Sequence, residues 1–350
     1  MKIHRKYMLR CLQIAKNGLG TTAPNPMVGC VIVYDSKIIG EGFTSPYGGP
    51  HAEVNAVNSV KNKALLSEST LYVTLEPCSH YGKTPPCADM IIKHQIPKVV
   101  IGLLDPHEKV AGKGISKLKD AGVEVSFQIM ENECREHHKR FLTFQEKRRP
   151  YIILKWAQTS DGFIAPLKDK RDDEPKPYWI TNKFSRQLVH QWRSQEQSIL
   201  VGTKTALEDN PKLDVRQWHG KNPIRVVLDR QLKLGKKSNL LDGTIPTIVF
   251  TEQIVEENTS ENVSYQRIDF NENLAEQICE ILFRNNINSV LIEGGAQTLK
   301  CFIDANLWDE AHIFIGNTTF KEGVKAPFIS GRLVETRNIA GDQLKTYHND

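Results

Sequence analysis

The sequence has no long hydrophobic run. Its first residues, MKIHRKYMLRCLQIAKNG, set charges on both sides of the apolar ones. They therefore lack the apolar core of about 7–15 residues that a secretory signal needs. No later stretch approaches the roughly 20 apolar residues of a membrane helix, so no membrane role is expected and the cytoplasm is the expected compartment. Cysteine is sparse and odd in number, 7 residues spread along the chain. Without a secretory signal that argues against a disulfide framework and leaves metal binding or burial. An excess of one charge is also missing: 46 Lys and Arg oppose 41 Asp and Glu, for a net charge of +5. Basic residues form no run interleaved with aromatics, so nucleic acid is not an expected partner, whereas a phosphate-bearing small molecule is. Internal repeats are absent.

What remains is a globular composition, with 39% hydrophobic and 25% charged residues. A chain of 350 residues is too long for one ordinary core, and two domains are expected. Met8, Cys11, Leu12 and Ala15 have helical spacing, and Gly18 and Gly20 end that helix. Two apolar stretches, Gly29 to Tyr34 and Ile38-Ile39, flank Asp35-Ser36 and read as a hairpin. Pro50 is expected to open a helix reaching about Lys61. Thr70 to Leu75 is a strand, Cys87 to His94 a helix, Lys98 to Leu104 a strand, and Ile115 to Val125 a helix, a turn at Gly122 and a strand. Such alternation predicts a three-layer α/β sandwich. Residues Glu131 to Arg149 read as one charged helix closed by Pro150, which sets a domain boundary between 149 and 150. A new α/β alternation follows: strands at Tyr151–Trp156, Ile199–Val201, Ile224–Leu228, Thr247–Thr251 and Val290–Ile292, with helices over Phe184–Gln195 and around Leu274–Leu282. Lys168 to Lys176 (KDKRDDEPK) is a charged loop broken by proline.

His51-Ala52-Glu53, Pro77-Cys78 and Cys87 carry the clearest chemistry. A hydrolytic zinc site uses three protein ligands and one open position. One imidazole and two thiolates can supply those ligands, leaving Glu53 beside the metal to move a proton. Zinc lowers the pKa of a bound water to about 7. H-x-E followed by P-C-x-x-C is the pattern of zinc-dependent base deaminases. Here eight residues, rather than two, separate Cys78 from Cys87. Taken singly, the cysteines read as buried hydrophobes and His51 as a helix cap. A structural zinc site with His80 as fourth ligand is the other alternative, and it leaves Glu53 without a role.

PCSHYGKTPPC (Pro77 to Cys87), HAE at 51–53 and APNPMVG (Ala23 to Gly29) together resemble the bifunctional riboflavin-biosynthesis deaminase/reductase family. That resemblance implies a cytidine-deaminase-like fold for the first half. It also implies zinc on His51, Cys78 and Cys87, a proton shuttle at Glu53, and a substrate contact at Asn25.

In the second half, three strand ends stand out from the residues alone: Ser160-Asp161-Gly162, Gly202-Thr203-Lys204-Thr205 before a helix, and Glu293-Gly294-Gly295 before another. Glycine at such a turn lets backbone N–H groups approach a phosphate. The G-x-G-x-x-G fingerprint is missing, so an ordinary dinucleotide site is not expected. The segments LKWAQTSDGFIA, YWIT, GTKTALEDNPKLDVR and LIEGGAQTL resemble the reductase half of the same family. The resemblance implies a dihydrofolate-reductase-like fold and NADPH as cofactor. It puts Ala157, Ile164, Trp179, Thr205 and Asp209 at cofactor positions. Gly295, Ala296, Gln297, Thr298, Leu299, Lys300 and Cys301 fall around the dinucleotide phosphates, and Arg193, Leu213, Arg216 and Glu293 at substrate positions. Arginine suits a ribose phosphate through its planar fork.

The departure from the family is the loop before YWIT. Relatives carry a glycine- and serine-rich segment with a substrate-touching serine, where this chain has Pro177. Either one hydrogen bond is missing there, or Lys168, Lys170, Arg171 or Lys176 brings a cation to the phosphate.

The expected function is zinc-dependent hydrolysis of a ring amino group on a phosphorylated pyrimidine by residues 1–149, then NADPH-dependent reduction of its ribosyl side chain by residues 150–350. A homo-oligomer is compatible with this reading. The alternatives are a nucleic-acid base deaminase with a C-terminal binding module, and a zinc-stabilised scaffold without activity.

Overall fold

The computed structural model describes residues 2–81, 85–106, 112–171, 174–235, 237–255 and 261–349. Gly82 to Thr84 of the PCSHYGKTPPC motif, and Asp172 and Asp173 of the charged loop, lie outside the described residues. The chain divides into two compact units, Met1–Arg148 and Arg149–Asp350. Among the described residues no helix is long and apolar enough to cross a membrane.

The first unit runs α1 (Lys2–Ala15), β1 (Gly29–Tyr34), β2 (Lys37–Phe43), α2 (Ala52–Ser59), β3 (Thr70–Leu75), α3 (Cys87–Lys93), β4 (Lys98–Leu103), α4 (Lys113–Asp120), β5 (Glu124–Ser126), α5 (Glu131–His137) and α6 (Lys139–Lys147). The hairpin β1–β2 turns on Asp35 and Ser36, both at positive φ (44° and 60°), the geometry that matches strand twist in a two-residue loop. The sheet order is β2-β1-β3-β4-β5, with β3, β4 and β5 mutually parallel. Helices cover both faces, and glycines mark where they press closest. Gly29 abuts the backbone of Cys11 on α1, whereas Gly42 abuts Ala52 and Ala56 on α2.

Two boundaries differ from the sequence reading. Helix α2 starts at Ala52, not Pro50, because His51 is extended (φ −73°, ψ 165°) and serves as the N-cap. The stretch from Glu131 is two helices, not one. It breaks at His138, which is turned inward so that its Nε2 meets the Thr74 hydroxyl at 3.1 Å.

The second unit runs β6 (Tyr151–Thr159), β7 (Phe163–Ala165), α7 (Lys183–Gln195), β8 (Ser198–Gly202), α8 (Thr203–Asp209), β9 (Ile224–Leu228), β10 (Thr247–Thr251), β11 (Val263–Arg267), α9 (Leu274–Arg284), β12 (Ser289–Ile292), α10 (Ala296–Asp304), β13 (Glu310–Gly316), β14 (Val324–Lys325), β15 (Arg332–Ile339) and β16 (Asp342–His348). Its main sheet has the order β11-β10-β9-β8-β12-β6-β13-β16-β15. The strands from β11 to β13 are parallel; β16 and β15 add on antiparallel. The central strands β8, β10 and β12 are buried at every position, which matches their mostly apolar runs. Ile152, Leu154 and Trp156 enter a core with α9 and α10, while Tyr151 and Ile153 enter a second one with Ala206 and Leu213.

The antiparallel end was not legible in the sequence. β15 is an edge strand exposed along almost its whole length, so it shows neither an apolar run nor alternation.

Candidate active sites

In the first unit, the end of β3 and the starts of α2 and α3 converge. His51 caps α2, Glu53 lies in its first turn, Cys78 follows β3, and Cys87 is the first residue of α3. His51 Nδ1 stands 3.6 Å from Cys78 Sγ and 3.4 Å from Cys87 Sγ. The three ligand atoms lie within 4.8 Å of one another. Zn–S near 2.3 Å and Zn–N near 2.0–2.1 Å at a tetrahedral angle put sulfur and nitrogen about 3.6 Å apart, so the donor set and its spacing fit zinc.

Backbone hydrogen bonds hold the two cysteines together at the base of the gap. The Ala88 N–H donates to the Cys78 carbonyl (3.1 Å) and the Cys87 N–H to the Cys78 sulfur (3.3 Å). The wider gap thus forms a loop that still brings both thiols together. Interaction with the Cys87 side chain, opposed by burial and helped by His51, lowers the Cys78 thiol, while the Cys87 thiol is raised. Glu53 is 4% exposed, and burial first, then the charge on Cys78, raise its carboxyl to about 7.

Glu76, which the sequence did not single out, supports this site. Its buried carboxylate accepts from the N–H groups of Asp105 (3.3 Å), Gly112 (3.0 Å), Gly114 (3.0 Å) and Ile115 (3.2 Å). Pro77 and Cys78 are thereby tied to the start of α4. Those partners lie about thirty to forty residues away in the chain, so no local pattern announces them. Asn25 sits half-buried in the turn before β1, its N–H donating to Thr22 (2.9 Å). Its side chain makes no hydrogen bond among the described residues.

In the second unit a cleft of about 530 Å³ opens beside the ends of β6, β8 and β12. Ala157, Ile164, Trp179, Thr205, Asp209, Gly295, Ala296 and Leu299 line it, and so do Arg193, Leu213, Arg216 and Glu293. Gln297, Thr298, Lys300 and Cys301 are not among the lining residues. On α10 only Ala296 and Leu299, three apart, face inward. Thr298 lies against Gly202, Lys300 pairs with Asp304 (2.6 Å), and Cys301 packs toward the core.

The glycine turns have a packing role. Gly294 abuts Val201 and Gly202, and the Gly295 N–H donates to the Thr205 hydroxyl (2.8 Å). Asp161 is likewise committed, accepting from Thr159 (2.5 Å) and from the N–H groups of Phe320 (3.1 Å) and Lys321 (2.7 Å).

Glu293 is the electrostatic centre of the cleft. Arg193 grips its carboxylate with two N–H groups (2.8 and 2.9 Å), and Lys155 reaches it at 3.3 Å. Burial works to raise this carboxyl, but Arg193 and then Lys155 overcome it and hold the group at about 2. Arg193 is therefore spent on Glu293 and on the Asp214 carbonyl (3.2 Å), whereas Arg216 pairs, among the described residues, only with Asp214 and is 44% exposed. The Leu213 side chain is buried in the core, with a backbone φ of 51°. His190 was missed. Burial, then Arg193 and Arg216, depress it to about 4, and its Nδ1–H donates to the Asp214 carbonyl (2.9 Å). The stripe Arg186, His190, Arg193 on α7, at helical spacing, was the available signal. Lys155 was missed too, although a lone cation inside an apolar strand is itself unusual.

Residues 150–344 match the RibD C-terminal domain, and residues 1–103 the cytidine and deoxycytidylate deaminase zinc-binding region. The chain belongs to the RibD family. It is 38% identical to the riboflavin biosynthesis protein RibD of Aquifex aeolicus, over 95% of this chain and 92% of that one. Among solved structures it is similar to the diaminohydroxyphosphoribosylaminopyrimidine deaminase/5-amino-6-(5-phosphoribosylamino)uracil reductase of Thermotoga maritima, with a TM-score of 0.88, 36% identity and 99% of each chain covered. Acinetobacter baumannii RibD gives a TM-score of 0.90 at 33% identity, again over 99% of each chain. This RibD chain is a bifunctional riboflavin-biosynthesis enzyme, with a cytidine-deaminase-like N-terminal domain and a reductase domain after it. The reading as a nucleic-acid base deaminase is not favoured.

Proposed function

We propose that residues 1–149 deaminate a diaminohydroxyphosphoribosylaminopyrimidine, and that residues 150–350 then reduce the ribosyl side chain of 5-amino-6-(5-phosphoribosylamino)uracil with NADPH. The observation that carries this is the convergence of His51, Cys78 and Cys87 beside a buried Glu53 in a chain similar from end to end to such enzymes.

His51, Cys78 and Cys87 would hold the zinc. When bound, zinc would supply a water acidified enough to act as hydroxide near neutral pH. Glu53 would take a proton from the attacking water and deliver it to the departing ammonia, and its position in the first turn of α2 suits both ends of that transfer. Asn25, whose side-chain amide makes no hydrogen bond among the described residues, suits an edge of the pyrimidine.

In the reductase domain NADPH supplies the hydride. Ala157, Ile164, Trp179, Thr205 and Asp209 would form the wall that receives it. The dinucleotide phosphates would meet the first turn of α10 from Gly295, through backbone N–H groups more than through the side chains of Gln297, Lys300 or Cys301. Glu293, ionised by Arg193 and Lys155, would accept from the substrate hydroxyls, and the more exposed Arg216 would take its phosphate. A phosphorylated, water-soluble substrate fits a cytoplasmic enzyme.

Metal analysis of the intact chain, together with ammonia release from the candidate pyrimidine, tests the first half. About one zinc per chain is expected, and Cys87→Ala should lose both metal and deamination. Full zinc occupancy in that variant would remove Cys87 from the ligand set. NADPH oxidation with the deaminated product tests the second half.

A further inference from the structure

The loop that departs from the family places a charged side chain, Arg171, in the lining of the reductase cleft. Arg171 is only 13% exposed, although it belongs to a charged segment that reads as solvated. Its Nη1 donates to the Glu208 carboxylate (2.9 Å), and its Nη2 to the Asp209 carboxylate (2.6 Å) and the Lys176 carbonyl (3.3 Å). Lys170, from the same loop, pairs with Glu322, so it too is engaged by a carboxylate. Arg171, Glu208 and Asp209 all line the cleft.

Glu208 and Asp209 are neighbours at the end of α8, and their like charges repel each other and any anionic ligand. The other charges acting on this pair are few. Lys155 acts on Asp209 from β6, and Lys204 reaches Glu208 at 3.7 Å. Burial raises the Asp209 carboxyl, and Arg171 is the strongest influence against it.

We propose that Arg171 is a positioning residue of the reductase cleft: by bridging Glu208 and Asp209, it holds Asp209 as a fixed acceptor for a ribose hydroxyl of the nicotinamide dinucleotide. This rests on reading the cleft as the cofactor site. A forked guanidinium can tie two carboxylates at once, which a lysine ammonium does less well. Arg171 is therefore a part of the cofactor wall, and it acts through Asp209 rather than on the substrate phosphate.

A double-mutant cycle on the intact chain tests it, with NADPH titrated against tryptophan fluorescence and steady-state kinetics run alongside. Arg171→Ala is expected to weaken NADPH binding about tenfold, and Asp209→Asn to do the same, while the double variant is no weaker than either single one. KM for NADPH should rise in Arg171→Ala while kcat and KM for the pyrimidine stay within about twofold. Arg171→Lys, which keeps the charge and loses the fork, should fall between, and serves if the alanine variant does not fold. Effects of the two single substitutions that simply multiply, or Arg171 variants that bind NADPH as the parent does, overturn the proposal. If the parent chain itself binds no NADPH, the cleft reading falls and takes this proposal with it.

Discussion

Replacing Glu293 by Gln keeps its shape and removes its charge, leaving Arg193 and Lys155 facing a neutral amide in a nearly closed pocket. The side chains of Glu293, Arg193 and Lys155 are 8%, 11% and 16% exposed, so water can do little to compensate. A carboxyl held at about 2 instead of the usual 4.5 corresponds to about 3 kcal/mol of folding stability at neutral pH. Removing one partner of a buried ion pair costs about 3–5 kcal/mol, which agrees in size. Because the folded carboxyl is depressed, this stability is complete above about pH 4.5 and is lost as pH falls toward 2. The deficit of Glu293→Gln should therefore shrink by about 2 kcal/mol between about pH 7 and pH 3. All 5 tryptophans, Trp156, Trp179, Trp192, Trp218 and Trp308, lie after residue 150, so their fluorescence follows the unfolding of the reductase domain alone. Urea titrations of parent and variant at both pH values supply the comparison. A deficit equal at the two pH values would show that the ionised carboxylate is not what Arg193 and Lys155 stabilise. The variant should also lose reductase activity while the deaminase step continues.

Glu53→Gln should keep zinc and lose roughly a hundredfold or more of the ammonia-release rate, because a proton carrier goes and the ligands stay. Activity within a few-fold of the parent would assign that proton to another group. Gly42→Ala places a methyl against the backbone of Ala52 and Ala56 and must push α2, with His51 and Glu53, off the sheet. A loss of about 1–3 kcal/mol, with weaker zinc retention under chelator, is expected; unchanged retention would mean that the helix relaxes without moving the site. Pro177→Ser adds one hydrogen-bonding group to the cleft wall. It should lower the reductase KM for the pyrimidine by a few-fold to about tenfold without changing NADPH affinity. An unchanged KM at low and high salt would leave the serine without a role there.

The candidate metal cluster of His51, Cys78 and Cys87 was legible in the sequence because zinc chemistry needs particular atoms. A histidine and a glutamate two residues apart at a helix start, and cysteines at a strand end and a helix start, are local features that composition and spacing can carry. Parallel strands buried on both faces showed for the same reason, since continuous apolar runs such as Tyr151–Leu154 have no other easy explanation. What the sequence could not decide was how charged groups pair across the fold. Arg193 reads as a phosphate ligand until Glu293, 100 residues away, is seen to occupy its fork. Arg171 reads as a loop cation that could reach a phosphate until the end of α8 is seen to bring Glu208 and Asp209 to it. Glu76 shows no role in the sequence until four backbone N–H groups, from Asp105 and the start of α4, converge on it. Hydrophobic pattern repeats over a few residues and metal-ligand chemistry marks its residue types in short motifs, so the chain displays both directly. Desolvated charges must find partners wherever folding delivers them, and only the tertiary structure decides which partners those are.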